Sequence, residues 1–167
     1  MMKRNLTAGC VALSAILVAV SLTTVAAETL HADLTGYEEV PAVSTGASGT
    51  LRAKIANDES AIDFELTYEG IEGGTALFAH IHVGQLSVNG GVSVFLCGGG
   101  GRPACPSPGG TVTGTILPAD VIGPGGAQQV PPGALGELIA AIRAGATYVN
   151  VHSQTSPGGE IRGQIRR

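Results

Sequence analysis

The chain has 167 residues, with 13 acidic against 9 basic side chains, a formal net charge of −4, and aromatic residues making up only 4% of it. That balance argues against a nucleic-acid partner, because phosphate contacts need clustered Lys and Arg, and base stacking needs aromatic platforms.

The N-terminus begins Met1-Met2-Lys3-Arg4 and continues as an uncharged, largely apolar run from Leu6 to Ala27. A short basic start, an apolar middle and the small-residue end Val25-Ala26-Ala27 read as a secretory signal peptide over residues 1–27. The run approaches the length of a membrane span, but the polar Glu28-Thr29 that follows at once favours cleavage after Ala27. Cys10 stands before the apolar region instead of after it, which argues against a lipid anchor. The expected mature domain is residues 28–167, enough for one core. It loses Lys3 and Arg4 but no acid, so 7 basic groups face 13 acidic ones, a net −6. The expected location is secreted or periplasmic, with no membrane span after cleavage.

From there the chain reads as short alternating strands separated by Gly, Pro, Asn and Asp. Leu30, Ala32 and Leu34 alternate with Thr29, His31, Asp33 and Thr35; Leu51, Ala53 and Ile55 alternate with Arg52 and Lys54. Ile62, Phe64, Leu66 and Tyr68 alternate with Asp63, Glu65, Thr67 and Glu69, the pattern of an antiparallel sheet with one packed and one wet face. In residues 77–83, Leu77, Ala79, Ile81 and Val83 form one row and Phe78, His80 and His82 the other. Two further strands are expected at 92–96 and 111–116. Leu135, Leu138, Ile139 and Ile142 recur at helical spacing before Gly145, predicting one short amphipathic helix with a glycine stop. Strands at 147–152 and 160–165, joined by the turn Ser156-Pro157-Gly158-Gly159, close the chain as a hairpin. The fold expected is all-β: an antiparallel Greek-key β-sandwich, immunoglobulin-like or superoxide-dismutase-like, of about eight strands with one helical insertion.

Cys97 and Cys105 are the two cysteines left after cleavage, and in an exported chain such a pair reads as a disulfide closing a glycine-rich loop. In the closing hairpin, Tyr148, Asn150 and His152 share a face, as do Glu160, Arg162 and Gln164. If the 77–83 strand lies beside them, His80, His82 and His152 converge as a copper or zinc site, with Asn150, Glu160 and Arg162 as outer partners. The competing reading is a solvated strand face whose histidines bind nothing. His31, near the edge of its strand, is a poorer ligand candidate.

Other chemistries are argued against. A blue-copper centre needs Cys and usually Met, but both methionines lie in the leader and the cysteines are expected to pair. Ser153 follows His152 directly, and neighbours on a strand face opposite ways, so they form no dyad. The glycine runs lack the Gly-Lys-Ser/Thr of a phosphate loop.

Three stretches carry a family resemblance: Leu34-Thr-Gly-Tyr-Glu-Glu-Val-Pro41 with the later Gly49, Ala79-His-Ile-His-Val-Gly84, and Tyr148-Val-Asn-Val-His152 followed by Gly159-Glu-Ile-Arg-Gly-Gln-Ile165. Together they resemble the CHRD domain, named after chordin, where it accompanies growth-factor-binding modules, and found by itself in exported microbial proteins. The resemblance implies an exported β-sandwich domain and names no reaction. A fainter likeness, in His80-Ile-His82-Val-Gly84, is to copper/zinc superoxide dismutase, whose bridging-histidine and zinc segments have no counterpart here. The function expected is therefore a binding module, more in keeping with a non-enzyme, whose partner is a metal ion or an extracellular protein. A dismutase-like metalloenzyme and a structural or adhesive surface protein with no ligand are the alternatives.

Overall fold

The structure, a computed structural model, describes residues 27–124 and 126–167. The expected signal peptide falls outside them, apart from Ala27. Eight strands form: β1 Glu28–Thr35, β2 Ser48–Ile55, β3 Ile62–Glu69, β4 Ala76–Val83, β5 Gly91–Cys97, β6 Gly110–Ile116, β7 Thr147–Ser153 and β8 Ile161–Gln164. One helix, α1, spans Leu135–Arg143.

All eight strands pair antiparallel in one hydrogen-bonded sheet, in the order β5-β4-β7-β8-β1-β2-β3-β6, curled so that it is nearly a barrel. The all-β antiparallel expectation therefore holds. Its two halves, β5-β4-β7-β8 and β1-β2-β3-β6, join through a single β1–β8 register pair, Thr35 with Arg162, and the Greek-key sandwich expected from the sequence is not shown.

The alternation explains the packing on one half. Along β3, Ile62, Phe64, Leu66 and Tyr68 are buried while the acids and threonine between them face out. β1 and β2 add Leu30, Ala32, Leu34, Leu51 and Ile55 to the same core. Helix α1 contributes Leu135, Leu138, Ile139 and Ile142, the four positions picked out by their spacing. Its end is a Schellman motif: the Gly145 amide bonds the Ile142 carbonyl and the Ala146 amide bonds that of Ala141. Gly145 stands at φ +68°, a left-handed conformation that glycine adopts without a Cβ penalty.

The other half departs from simple alternation. Every residue of β7 and β8 is buried on both faces. Arg162 is 1% exposed and Gln164 8%, so this polar row does not meet solvent. Loops cover it. Arg162 donates to Asn89 Oδ1 and to the Gln85 and Val88 carbonyls, Gln164 donates to the Gly84 and Gly145 carbonyls, and Asn89 donates in turn to the Val40 carbonyl. These bonds fasten the 84–90 and 36–43 segments over the sheet, and each buried donor finds a carbonyl in them.

β5 carries two register shifts against β4, opposite the steps from Ala79 to His80 and from Ile81 to His82. Bulges of this kind re-aim side chains and occur beside functional sites. Cys97 at the end of β5 bonds Cys105, with Cα atoms 5.0 Å apart, as the cysteine count implied. No helix among the described residues is long and apolar enough to cross a membrane.

Candidate metal centre

β4 lies directly against β7, with His80 opposite Asn150, His82 opposite Tyr148 and Phe78 opposite His152. All of these side chains fall on the polar row that the alternation assigned to them. His80 and His152 are diagonal neighbours across the two strands, within reach of one another. The three imidazoles converge: one nitrogen from each of His80, His82 and His152 lies within 4.8 Å of the others. They are 6%, 6% and 7% exposed, so a solvated strand face is not what the structure shows.

Backbone carbonyls set the tautomers. His82 Nδ1 donates to the Gly90 carbonyl at 3.0 Å, and His152 Nδ1 donates to the Pro157 carbonyl at 2.9 Å. Each leaves Nε2 as the unprotonated, lone-pair nitrogen. His80 Nδ1 donates to His152 Nε2 at 3.1 Å, so that His80 Nε2 is bare as well. The Nε2 atoms of His80 and His82 are buried and have no partner, and such orphans are rare in folded proteins. Asn150 Oδ1 stands 3.0 Å from His152 Nε2. A bare nitrogen facing a carbonyl oxygen is a repulsive pair, which an ion between them or a half-turn of the amide relieves.

Electrostatics keep the rings neutral. Burial, then the neighbouring His152 and His82, pulls His80 down to about 3. Burial pulls His82 to about 4, against the opposing pull of the Gly90 carbonyl. Burial also lowers His152, and its bond to Pro157 works the other way. Three neutral imidazoles with unprotonated nitrogens, two of them without a partner, are what a transition-metal ion requires of its ligands.

Aromatic contacts hold the rings in place. Tyr148 stacks on His82, centroids 4.6 Å apart and planes 6° apart, and the Arg162 guanidinium lies 3.4 Å over the other face of Tyr148. Phe95 meets His80 edge-on at 4.4 Å, and Phe78 stacks on it at 5.7 Å.

Of the expected outer partners, Asn150 lies against His152, and Arg162 lies over the Tyr148 ring that stacks on His82. Glu160 is placed elsewhere. Its carboxylate, 1% exposed, accepts from Thr45 Oγ1 and from the Glu72 and Gly73 amides, so it fastens the turn after β3. Burial pushes its pKa up, but the donors from Ser153, Glu72, Thr45 and Gly73 outweigh that and hold it below the usual carboxylate range. His31 lies on the far strand β1, exposed and bridged through its backbone to Arg166.

The sequence reading missed the residues that orient the site. Gly90 and Pro157 act through their carbonyls, and a carbonyl has no sequence signature beyond the turn it belongs to. Tyr148 was on the right row but had no role assigned. Glu39 was missed as well: it is 5% exposed, its Oε1 has no partner, and a Cβ on Gly159 would overlap it and crowd Asn150 Nδ2. Burial raises its pKa to about 7, against the lowering effects of Arg162, the Asn150 side chain and the Val40 backbone.

The model of the CHRD domain matches residues 30–165, from β1 to just past β8. This chain belongs to the CHRD family. Neither a curated protein nor a solved structure matches it. The CHRD match spans the His80-Ile-His82 strand, the closing hairpin and the loops that cover them, so the three-histidine cluster lies wholly within the domain.

Proposed function

We propose that this CHRD domain is an exported binding module that holds one copper or zinc ion through His80, His82 and His152. The observation that carries the reading is the pair of buried, partnerless Nε2 atoms on His80 and His82 beside His152 Nε2. Buried lone pairs of this kind call for a partner. Ligands about 2.0–2.1 Å from one ion stand about 3.4 Å apart in a tetrahedral arrangement, so a spacing within 4.8 Å closes by small ring rotations. Family membership supports the binding role, and the Cys97–Cys105 bridge supports an oxidising compartment outside the cytoplasm. Cleavage after Ala27 and a mature unit of residues 28–167 complete the reading.

Elemental analysis of protein purified from the exported fraction tests it. One copper or zinc per chain is expected, falling to background in His82→Ala and in His152→Ala. A metal content unchanged by both substitutions, or none in the wild-type protein even after titration with Cu and Zn salts, overturns the reading.

A further inference from the structure

We infer that the three-histidine centre selects monovalent copper over divalent ions, because its ligands carry no charge and a buried guanidinium stands behind one of them. The inference rests on the three-histidine reading above and adds the charge of the ion. Among the described residues the cluster is three histidines, with no carboxylate or thiolate to share it. Taking a dication out of water costs about four times as much as taking out a monocation of similar size, since the solvation cost grows with the square of the charge. Three neutral nitrogens offset less of that cost than a donor set containing an anion.

Arg162 adds to the bias. It is 1% exposed, and among the described residues all its hydrogen bonds go to carbonyl oxygens and the Asn89 amide oxygen, and no carboxylate lies within ion-pair distance of it. The stacking distances of 3.4 and 4.6 Å place its guanidinium carbon within about 8 Å of the His82 ring centre. For an ion held at about that range, at an effective dielectric constant of about 20, one extra unit of ionic charge changes affinity about thirty-fold.

The opposing groups are few. Glu39 is a buried carboxyl that acts on Arg162, and its burial keeps part of it protonated near neutral pH. The Glu160 carboxylate is committed to Thr45, Glu72 and Gly73. Phe78 and Phe95 cover His80 from the other side and keep water, which would favour the dication, away from the ring. The usual order of affinities at nitrogen sites favours Cu(II) over Zn(II) and the other divalent ions, so tighter binding of Cu(I) is a distinctive outcome.

The test is anaerobic competition of the purified protein against a chromophoric Cu(I) chelator, with parallel competitions for Cu(II) and Zn(II). One Cu(I) per chain, bound at least ten-fold more tightly than either dication, is expected. Arg162→Met shifts the ratio of Cu(I) to dication affinity about thirty-fold toward the dications. Glu39→Gln shifts it the other way by a smaller factor, which keeps the comparison decisive if the arginine variant fails to fold. Zn(II) or Cu(II) bound as tightly as Cu(I) overturns the charge selection and leaves the three-histidine site standing. No binding of any of the three ions overturns both.

Discussion

His82 and Gly90 are eight residues apart in the chain, and the imidazole donates to the glycine carbonyl at 3.0 Å. The same glycine's amide donates to the Tyr148 hydroxyl at 3.2 Å, so one residue fixes both the tautomer of His82 and the ring stacked on it. Only glycine fits there, because a Cβ would overlap the Val83 carbonyl. Gly90→Ala is expected to destabilise the fold by at least about 2 kcal/mol and to weaken metal binding together with it. Chemical denaturation and metal titration of the variant check this; an alanine protein with wild-type stability would show that the loop has another way to sit.

Stability of the metal-free protein should fall on mild acidification. His80 and His82 stay neutral in the fold down to about 3 and 4, whereas in the unfolded chain they take up protons near 6.5. The unfolded state therefore binds more protons through this window, and stability is full above about 6.5 and lost as pH falls toward 4 and then 3. Glu39, protonated in the fold up to about 7 and ionised when unfolded above its usual 4.5, acts in the opposite sense between those values. One carboxyl only partly offsets two histidines. The expected net loss is on the order of a few kcal/mol, read as a drop in the urea midpoint between pH 6.5 and 4. The drop should shrink in His80→Gln, and a flat wild-type profile would contradict the neutral-ring account.

Reduction of Cys97–Cys105 opens a loop of seven intervening residues. Chain entropy makes such a closure worth about 2–3 kcal/mol. Cys97→Ser with Cys105→Ser should lower the melting temperature by the corresponding amount without unfolding the domain at room temperature. The loop also packs on Phe95, since Cβ atoms at Gly99 and Gly100 would meet its ring, and Phe95 touches His80. Metal affinity should therefore fall several-fold in the same variant, measured by the same titration.

Glu160→Gln separates fold from site. Its carboxylate holds the Glu72 and Gly73 amides and the Thr45 hydroxyl and does not support the histidines. A loss of about 1–3 kcal/mol in stability is expected, since bonds to a buried charge are replaced by weaker ones, with metal affinity within about three-fold of wild type. A hundred-fold loss of affinity at unchanged stability would place Glu160 in the centre after all.

The rows of side chains were legible in the sequence because strand geometry is local. A period of two puts Phe78, His80 and His82 on one face and Tyr148, Asn150 and His152 on another, whatever lies next to them. Leu135, Leu138, Ile139 and Ile142 likewise marked the helix, Gly145 its end, and Cys97 and Cys105 the bridge. Tertiary structure decided the rest. It placed β4 directly against β7, and it brought the 84–90 and 36–43 loops over a face whose polar residues suggest water. That face is buried because distant carbonyls, at Gln85, Val88, Gly90 and Pro157, satisfy its donors, and no residue type announces where its carbonyl will point. Glu160 shows the same limit from the other side: its row was right, but the turn after β3 took its charge. Sequence by itself determined that three histidines occupy the polar rows of two strands; only packing made them one buried, neutral cluster.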